Sequence, residues 1–155
     1  MKVRDVMTND VISVREDNSV EDVARLMASY RISGAPVVDV NDAVVGLVTE
    51  YDLISKQGHT AGDVMTRGVV TVSQDTDVEE VTHLLTNRRI RRVPVMDGGK
   101  LVGILSRSDL IRQIAMRWVC DVCGYVERSM QVPNQCSNCG ASSEAFVHAV
   151  EPPGM

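Results

Sequence analysis

The chain carries one passage twice. Residues 6 to 14, Val-Met-Thr-Asn-Asp-Val-Ile-Ser-Val, return 58 positions later as Val-Met-Thr-Arg-Gly-Val-Val-Thr-Val at 64 to 72. Superposing 6 to 38 on 64 to 96 without a gap gives 14 identities in 33 positions, among them Asp17/Asp75, Leu26/Leu84, Ile32/Ile90 and Pro36/Pro94. Past the turn the match resumes at an offset of 57, which lays Gly46-Leu-Val-Thr-Glu-Tyr-Asp-Leu53 on Gly103-Ile-Leu-Ser-Arg-Ser-Asp-Leu110. A unit of about 57 residues buries too little surface to stand alone, so the two copies must pack against each other. A pseudo-twofold between them is the cheapest way to bury two equivalent sheet faces.

Each copy reads as extended segment, helix, strand, turn, strand, helix. Ser19 to Tyr30 places Val20, Val23, Ala24 and Met27 at helical spacing behind the capping residues Asp17, Asn18 and Ser19, and Asp77 to Arg88 repeats the pattern. Pro36 to Asp39 and Pro94 to Asp97 read as strands led by proline, which a sheet accepts at a strand start or edge. Asp97-Gly-Gly-Lys100 is a hairpin turn signal, and Ala43 to Val48 and Leu101 to Leu105 are the return strands. The fold class is therefore α+β, two β-α-β-β-α repeats followed by a small ribbon whose four cysteines, Cys120, Cys123, Cys136 and Cys139, mark it as metal-stabilised. The expected domains are 1–58, 59–117 and 118–155, with a helix over 107 to 117 leading straight into the last one.

Aromatics make up 3% of the residues, so the core must come from Val, Ile, Leu, Met and Ala, and Val-rich runs favour strands. A net charge of −5 without a block of Lys and Arg argues against nucleic acid as a partner. No run of about 18 apolar residues and no basic, apolar leader is present, which points to a soluble protein of the cytoplasm without membrane association. His59, His83 and His148 are scattered, and neither a phosphate-loop motif nor a paired-carboxylate pattern occurs, so no catalytic residue is expected.

Thr49-x-x-Asp52 and Ser106-x-x-Asp109 stand where a strand passes into a helix. Their plainest role is a capping box, worth about 1 kcal/mol. The same geometry suits a nucleotide. Free N–H groups and the helix dipole favour a phosphate, and a carboxylate one turn in accepts ribose hydroxyls.

In order and twice over, Val-Met-Thr, the helix, Gly34-Ala-Pro-Val-Val-Asp39 or Arg92-Val-Pro-Val-Met-Asp97, and Gly-x-x-Thr/Ser-x-x-Asp-Leu resemble a tandem pair of cystathionine β-synthase (CBS) domains, across residues 1 to about 117. The resemblance implies a regulatory module binding an adenosyl ligand such as AMP, ADP, ATP or S-adenosylmethionine between the repeats, and a homodimer. By position it implies that Asp52 and Asp109 hold ribose hydroxyls, that Thr49 and Ser106 lie near ribose or phosphate, and that Ala35 and Val93 wall the adenine or ribose. Copy one has Ser33-Gly34 where copy two has Arg91-Arg92. Basic residues at that place in the family meet phosphates, so Arg92, with Arg91 and Arg107, is expected to serve one cleft better than the other; the alternative is a solvated helix end.

All four cysteines lie in the last 36 residues, as Cys120-x-x-Cys123-Gly and Cys136-x-x-Cys139-Gly. Paired Cys-x-x-Cys knuckles converge four thiolates on one ion, and the glycines let the backbone turn beneath the sulfurs. The segment from Trp118 to about His148 resembles the rubredoxin-like domain of rubrerythrins, and also a zinc ribbon; Ser137 departs from the proline usual in rubredoxin-like knuckles. Zinc as a structural staple and iron as a one-electron centre both fit a four-thiolate set. Three readings follow: a nucleotide sensor coupled to the metal domain, an iron electron-transfer protein regulated by nucleotide, and a zinc ribbon that docks a protein partner.

Overall fold

The computed structural model describes residues 1–148; residues 149–155 of the expected third domain lie outside it. Helix α1 (Val20–Tyr30) opens because the Ser19 side chain accepts the Asp22 N–H and acidic residues occupy its first turn, and it closes at Arg31 in a left-handed conformation. Hairpin β1 (Gly34–Val38) and β2 (Val44–Thr49) follow, then α2 (Glu50–Ser55). The second copy runs α3 (Ala61–Val64), β3 (Val72–Ser73), α4 (Val78–Asn87), β4 (Arg92–Asp97), β5 (Lys100–Ser106) and α5 (Arg107–Ala115). Both hairpins carry a register shift at the same aligned position, Val37/Val38 and Val95/Met96.

β1 and β4 each begin two residues ahead of the expected proline. Pro36 is tolerated inside β1 because its edge faces Val14, where pairing is a lone bridge: the Pro36 carbonyl accepts the Val14 N–H, and no donor is required of the ring nitrogen.

The leading segments of the two repeats are exchanged. Val3 and Val6 pack into the core built by α4, β4 and β5 of the second repeat, whereas Ala61, Val64 and Met65 complete the core of the first. Thr8 pairs with Ile104 on β5 and Thr66 with Leu47 on β2. The methionine of each Val-Met-Thr triplet lies over a glycine of the opposite repeat, Met7 over Gly103 and Met65 over Gly46; a Cβ at Gly46 would stand 2.5 Å from the Met65 sulfur and 3.0 Å from the Thr66 carbonyl. At about 1.5–3 kcal/mol for each fully buried valine, the exchange ties the repeats together with several side chains on each side.

Helix α5 ends at Ala115, two residues short of the expected 117, because Arg117 already belongs to a strand. β6 (Arg117–Cys120) takes β7 (Val126–Arg128) on one edge and β8 (Phe146–His148) on the other. No linker intervenes, as expected, and the ribbon is tied back to α5: the Ser129 N–H donates to the Met116 carbonyl (2.8 Å), Arg128 Nη1 to Gln113 Oε1 (2.6 Å) and His148 Nε2 to the Ala115 carbonyl (2.9 Å). Among the described residues no helix is long and apolar enough to cross a membrane.

Candidate ligand clefts and metal centre

The two hydroxyl–carboxylate pairs are built alike and used differently. Thr49 makes a complete capping box on α2: its N–H and hydroxyl donate to Asp52 Oδ2 (2.9 and 3.1 Å), and it accepts the Asp52 N–H (3.3 Å). Asp52 Oδ1 accepts Lys56 Nζ at 2.7 Å and, more distantly, the Thr66 hydroxyl at 3.4 Å. Burial alone would raise the Asp52 carboxyl, but the Lys56 ammonium and the Thr49 donors outweigh it and hold the group below the ordinary carboxylate value. On α5, Asp109 Oδ2 likewise accepts the Ser106 N–H (2.8 Å) and hydroxyl (3.0 Å). Its Oδ1 meets only the Thr8 hydroxyl, at 3.3 Å, and among the described residues it has no cationic partner. The residue aligned with Lys56 is Gln113, which faces the ribbon instead.

Asp109 shares a cavity with the pre-proline segment of the other repeat. This cavity, of about 320 Å³, is walled by Thr8, Asp10, Val11 and Ile12, by Arg31 to Gly34 of the first repeat, and by Ser106, Ser108, Asp109 and Arg112 of the second. This is within the range of small-molecule sites. Three cations, Arg31, Arg92 and Arg112, face it together with Asp10 and Asp109. A second cavity, about 420 Å³, is lined by Ser33, Thr49, Glu50, Tyr51, Ile54, Arg91 and Arg92; the Asp52 carboxylate does not reach it.

Arg92 thus borders both cavities. Its guanidinium crosses the face of Gly34, where any Cβ would collide with it, and donates to the Ser33 hydroxyl. Burial, then the neighbouring Arg91, lowers its pKa, and Glu50 partly offsets them. Ser33-Gly34 and Arg91-Arg92, a mismatch in the sequence, are a fitted pair in space. Of the remaining expected residues, Ala35 and Val93 are wholly buried beneath the clefts and line neither cavity. Arg107 turns its Nε to the Ile90 carbonyl (3.1 Å) and also lines neither. Sequence reasoning passed over Thr8, Thr66, Arg31, Arg112 and Lys56. The verbatim Val-Met-Thr triplet was a signal for the two threonines, and Asp-x-x-x-Lys spacing on a helix was one for Lys56.

The four cysteine sulfurs lie within 4.8 Å of one another, with Cys120–Cys139 and Cys123–Cys136 separations of 3.7 Å. Tetrahedral ligation with metal–sulfur bonds of about 2.3 Å requires sulfur–sulfur edges of about 3.8 Å, which these two separations match, so the donor set fits one ion. Gly124 and Gly140 take φ of 75° and 78°, the left-handed conformation each knuckle requires. A hydrogen bond from Asn138, then one from the Tyr125 N–H, pulls the Cys123 thiol down to about 6. At Cys139 the Ala141 N–H acts in the same direction, but desolvation and the other three sulfurs prevail and push it up to about 12. Thiolates crowded this closely repel one another, and a bound cation relieves that repulsion. Phe146, Trp118, Ala141 and Ala145 close the small core around Cys120 and Cys136, and Ser137, at the knuckle position where proline is usual, donates to the Glu127 carboxylate (2.8 Å).

Comparison with known proteins agrees with both halves. The CBS-domain model matches residues 3–59 and 61–116, and the rubrerythrin, rubredoxin-like domain model matches 118–147. Inosine-5'-monophosphate dehydrogenase of Methanocaldococcus jannaschii is 36% identical over 115 residues, which are 72% of this chain but 23% of that enzyme. The chain therefore spans less than a quarter of such a relative. Among solved structures, CBSX2 in complex with AMP is 34% identical, covering 72% of this chain and 93% of that one at a TM-score of 0.68. The CBS pair of protein MJ0100, bound to 5'-methylthioadenosine and S-adenosyl-L-methionine, is 28% identical, with 72% and 94% covered and the same TM-score. The chain belongs to the CBS-domain family, as a tandem pair followed by a rubredoxin-like domain with four cysteines placed for a metal ion.

Proposed function

We propose that the chain is a regulatory sensor in which an adenine nucleotide of the AMP, ADP or ATP type binds the 320 Å³ cleft and alters how the ribbon is held. One observation carries the reading: Asp109 borders that cleft with an acceptor oxygen that, among the described residues, no cation occupies, and Arg31, Arg92 and Arg112 line the same cleft. A ribose diol donates to the carboxylate, the arginines meet the phosphate, and the base lies toward Val11, Ile12 and Pro36. Similarity to CBS pairs that bind AMP or S-adenosylmethionine supports the ligand class. Helix α5 carries Asp109 and Arg112 at the cleft and Gln113 at the ribbon, so a ligand that shifts the first two moves the third. The rubredoxin-like match supports a second reading of the ribbon alone, in which the ion is iron and supplies one-electron transfer, whereas zinc would supply folding energy only.

Isothermal titration of the purified chain with AMP tests the main reading. One charge-assisted hydrogen bond from a ribose hydroxyl to the open direction on Oδ1, at roughly 1.5–3 kcal/mol, makes Asp109→Ala about 10- to 150-fold weaker than wild type. Equal affinity in the two proteins would remove Asp109, and the reading with it.

A further inference from the structure

We propose that Lys56 keeps the first repeat's carboxylate from receiving a ligand, so that the chain binds one adenosyl molecule although its duplication laid out two seats. The inference rests on the reading of Asp109 as a ribose-binding group. An ionised carboxylate offers about four acceptor directions. Asp52 fills all of them: Thr49 N–H and Thr49 hydroxyl on Oδ2, Lys56 Nζ and the Thr66 hydroxyl on Oδ1. The aligned Asp109 has the same pair on Oδ2 and only the threonine, at 3.3 Å, on Oδ1. At the carboxylates themselves Lys56 makes the difference, since each acid otherwise accepts the N–H and hydroxyl of its capping residue and a threonine hydroxyl. The lysine is itself held in place, donating to the Val64 carbonyl (3.2 Å) and approaching the Thr66 hydroxyl (3.5 Å) on the exchanged segment. A diol entering this side would have to displace an ammonium 2.7 Å from a carboxylate only 2% exposed. It would exchange a full ion pair for hydrogen bonds from uncharged hydroxyls. The cavity beside Thr49, Tyr51, Arg91 and Arg92 is large enough for a ligand; Glu50 borders it, whereas the Asp52 carboxylate, drawn to Lys56, does not.

Glutamine is the residue that the second repeat places at the aligned position, so Lys56→Gln makes the first seat resemble the second. Lys56→Met removes the ammonium while keeping the length of the chain. Lys56→Arg retains an ion pair. Titration with AMP, with thermal unfolding as the check on folding, should give one site per chain in wild type and Lys56→Arg and two in Lys56→Gln and Lys56→Met. The double variant Asp109→Ala/Lys56→Gln should retain one. Two sites in wild type, or a single site in both unlocked variants, overturns the assignment of Lys56 while leaving the Asp109 seat in place. No saturable AMP site in any of these proteins overturns the nucleotide reading itself, and this inference with it.

Discussion

Replacing Gly34 with alanine separates the role of Arg92 in the fold from its role toward a ligand. Gly34 is an extended residue of β1, and its φ is not in the left-handed region, so the backbone accepts alanine. The new Cβ would fall on the Arg92 guanidinium, with the Val48 carbonyl 3.3 Å away as the next contact. The colliding group is the far end of a flexible side chain, so it swings away and the strand remains in place. Arg92 then gives up its hydrogen bond to the Ser33 hydroxyl, a loss of about 1 kcal/mol, while alanine in place of glycine in a strand restores ~0.5–1 kcal/mol. The two nearly cancel, and the midpoint of thermal unfolding should move by no more than about 5 °C. The effect on a phosphorylated ligand is larger. One arginine–phosphate hydrogen bond contributes roughly 1.5–3 kcal/mol, so AMP should bind about 10- to 150-fold more weakly, while adenosine, which has no phosphate, changes less than about 3-fold. Calorimetric titration of both ligands into both proteins reads the difference. An unchanged AMP affinity would show that Arg92 does not meet the phosphate, and an equal loss for adenosine would show that the Cβ obstructs the cleft itself.

Two further outcomes follow from the same contacts. Asp52 is held below the ordinary carboxylate value, so its contribution is present above about pH 4 and is lost as pH falls through the depressed folded value. Urea midpoints between pH 5 and pH 3 should therefore fall less steeply in Asp52→Asn than in wild type, with Asp63 and Asp77, also held low, keeping part of the slope; parallel limbs would refute the Asp52 account. Trp118, the single tryptophan, sits on β6 with its Nε1 donating to the Ser129 carbonyl (3.0 Å) and its ring edge-on to His148. Removing the metal with a chelator, or Cys136→Ser, should red-shift its emission and unfold the ribbon, because ligation supplies on the order of 10 kcal/mol to a core this small, while the CBS pair keeps its cooperative transition; an unmoved emission would mean that the ribbon folds without the ion.

The parts of this molecule set by local rules were readable from the chain. Both helices after their caps, both hairpins, and the cysteine quartet follow from periodicity, turn residues and ligand spacing, which act over a few residues. What could not be read is which copy each Val-Met-Thr segment joins. Thr8 pairs with β5 and Thr66 with β2, yet the triplet is the same in both copies, and its apolar pattern satisfies either core equally. Only loop lengths and packing decide that. The end of α5 was misplaced for a related reason. Residues 115 to 117 continue a helix comfortably, and the competing strand owes its existence to Arg128, the partner of Arg117 eleven residues further on, and to His148, the partner of Trp118 thirty residues further on.

A single aligned position illustrates how a duplicated fold acquires unequal halves. Lys56 and Gln113 occupy corresponding sites, one turn past an acid that caps a short helix. Both are long and polar. Lysine turns back onto Asp52 and onto the carbonyl of Val64, tying the exchanged segment to α2. Glutamine has no charge with which to compete for Asp109, and its amide oxygen instead accepts Arg128 of the ribbon at 2.6 Å. An open carboxylate and a connection to the metal domain therefore arise together, on the same helix, from one residue that is not lysine. The converse exchange, lysine at 113, would close the cleft and sever the ribbon contact at once. In the proposed sensor the asymmetry is therefore part of the arrangement itself: the ribbon contacts the second repeat, the one whose acid has no lysine on it.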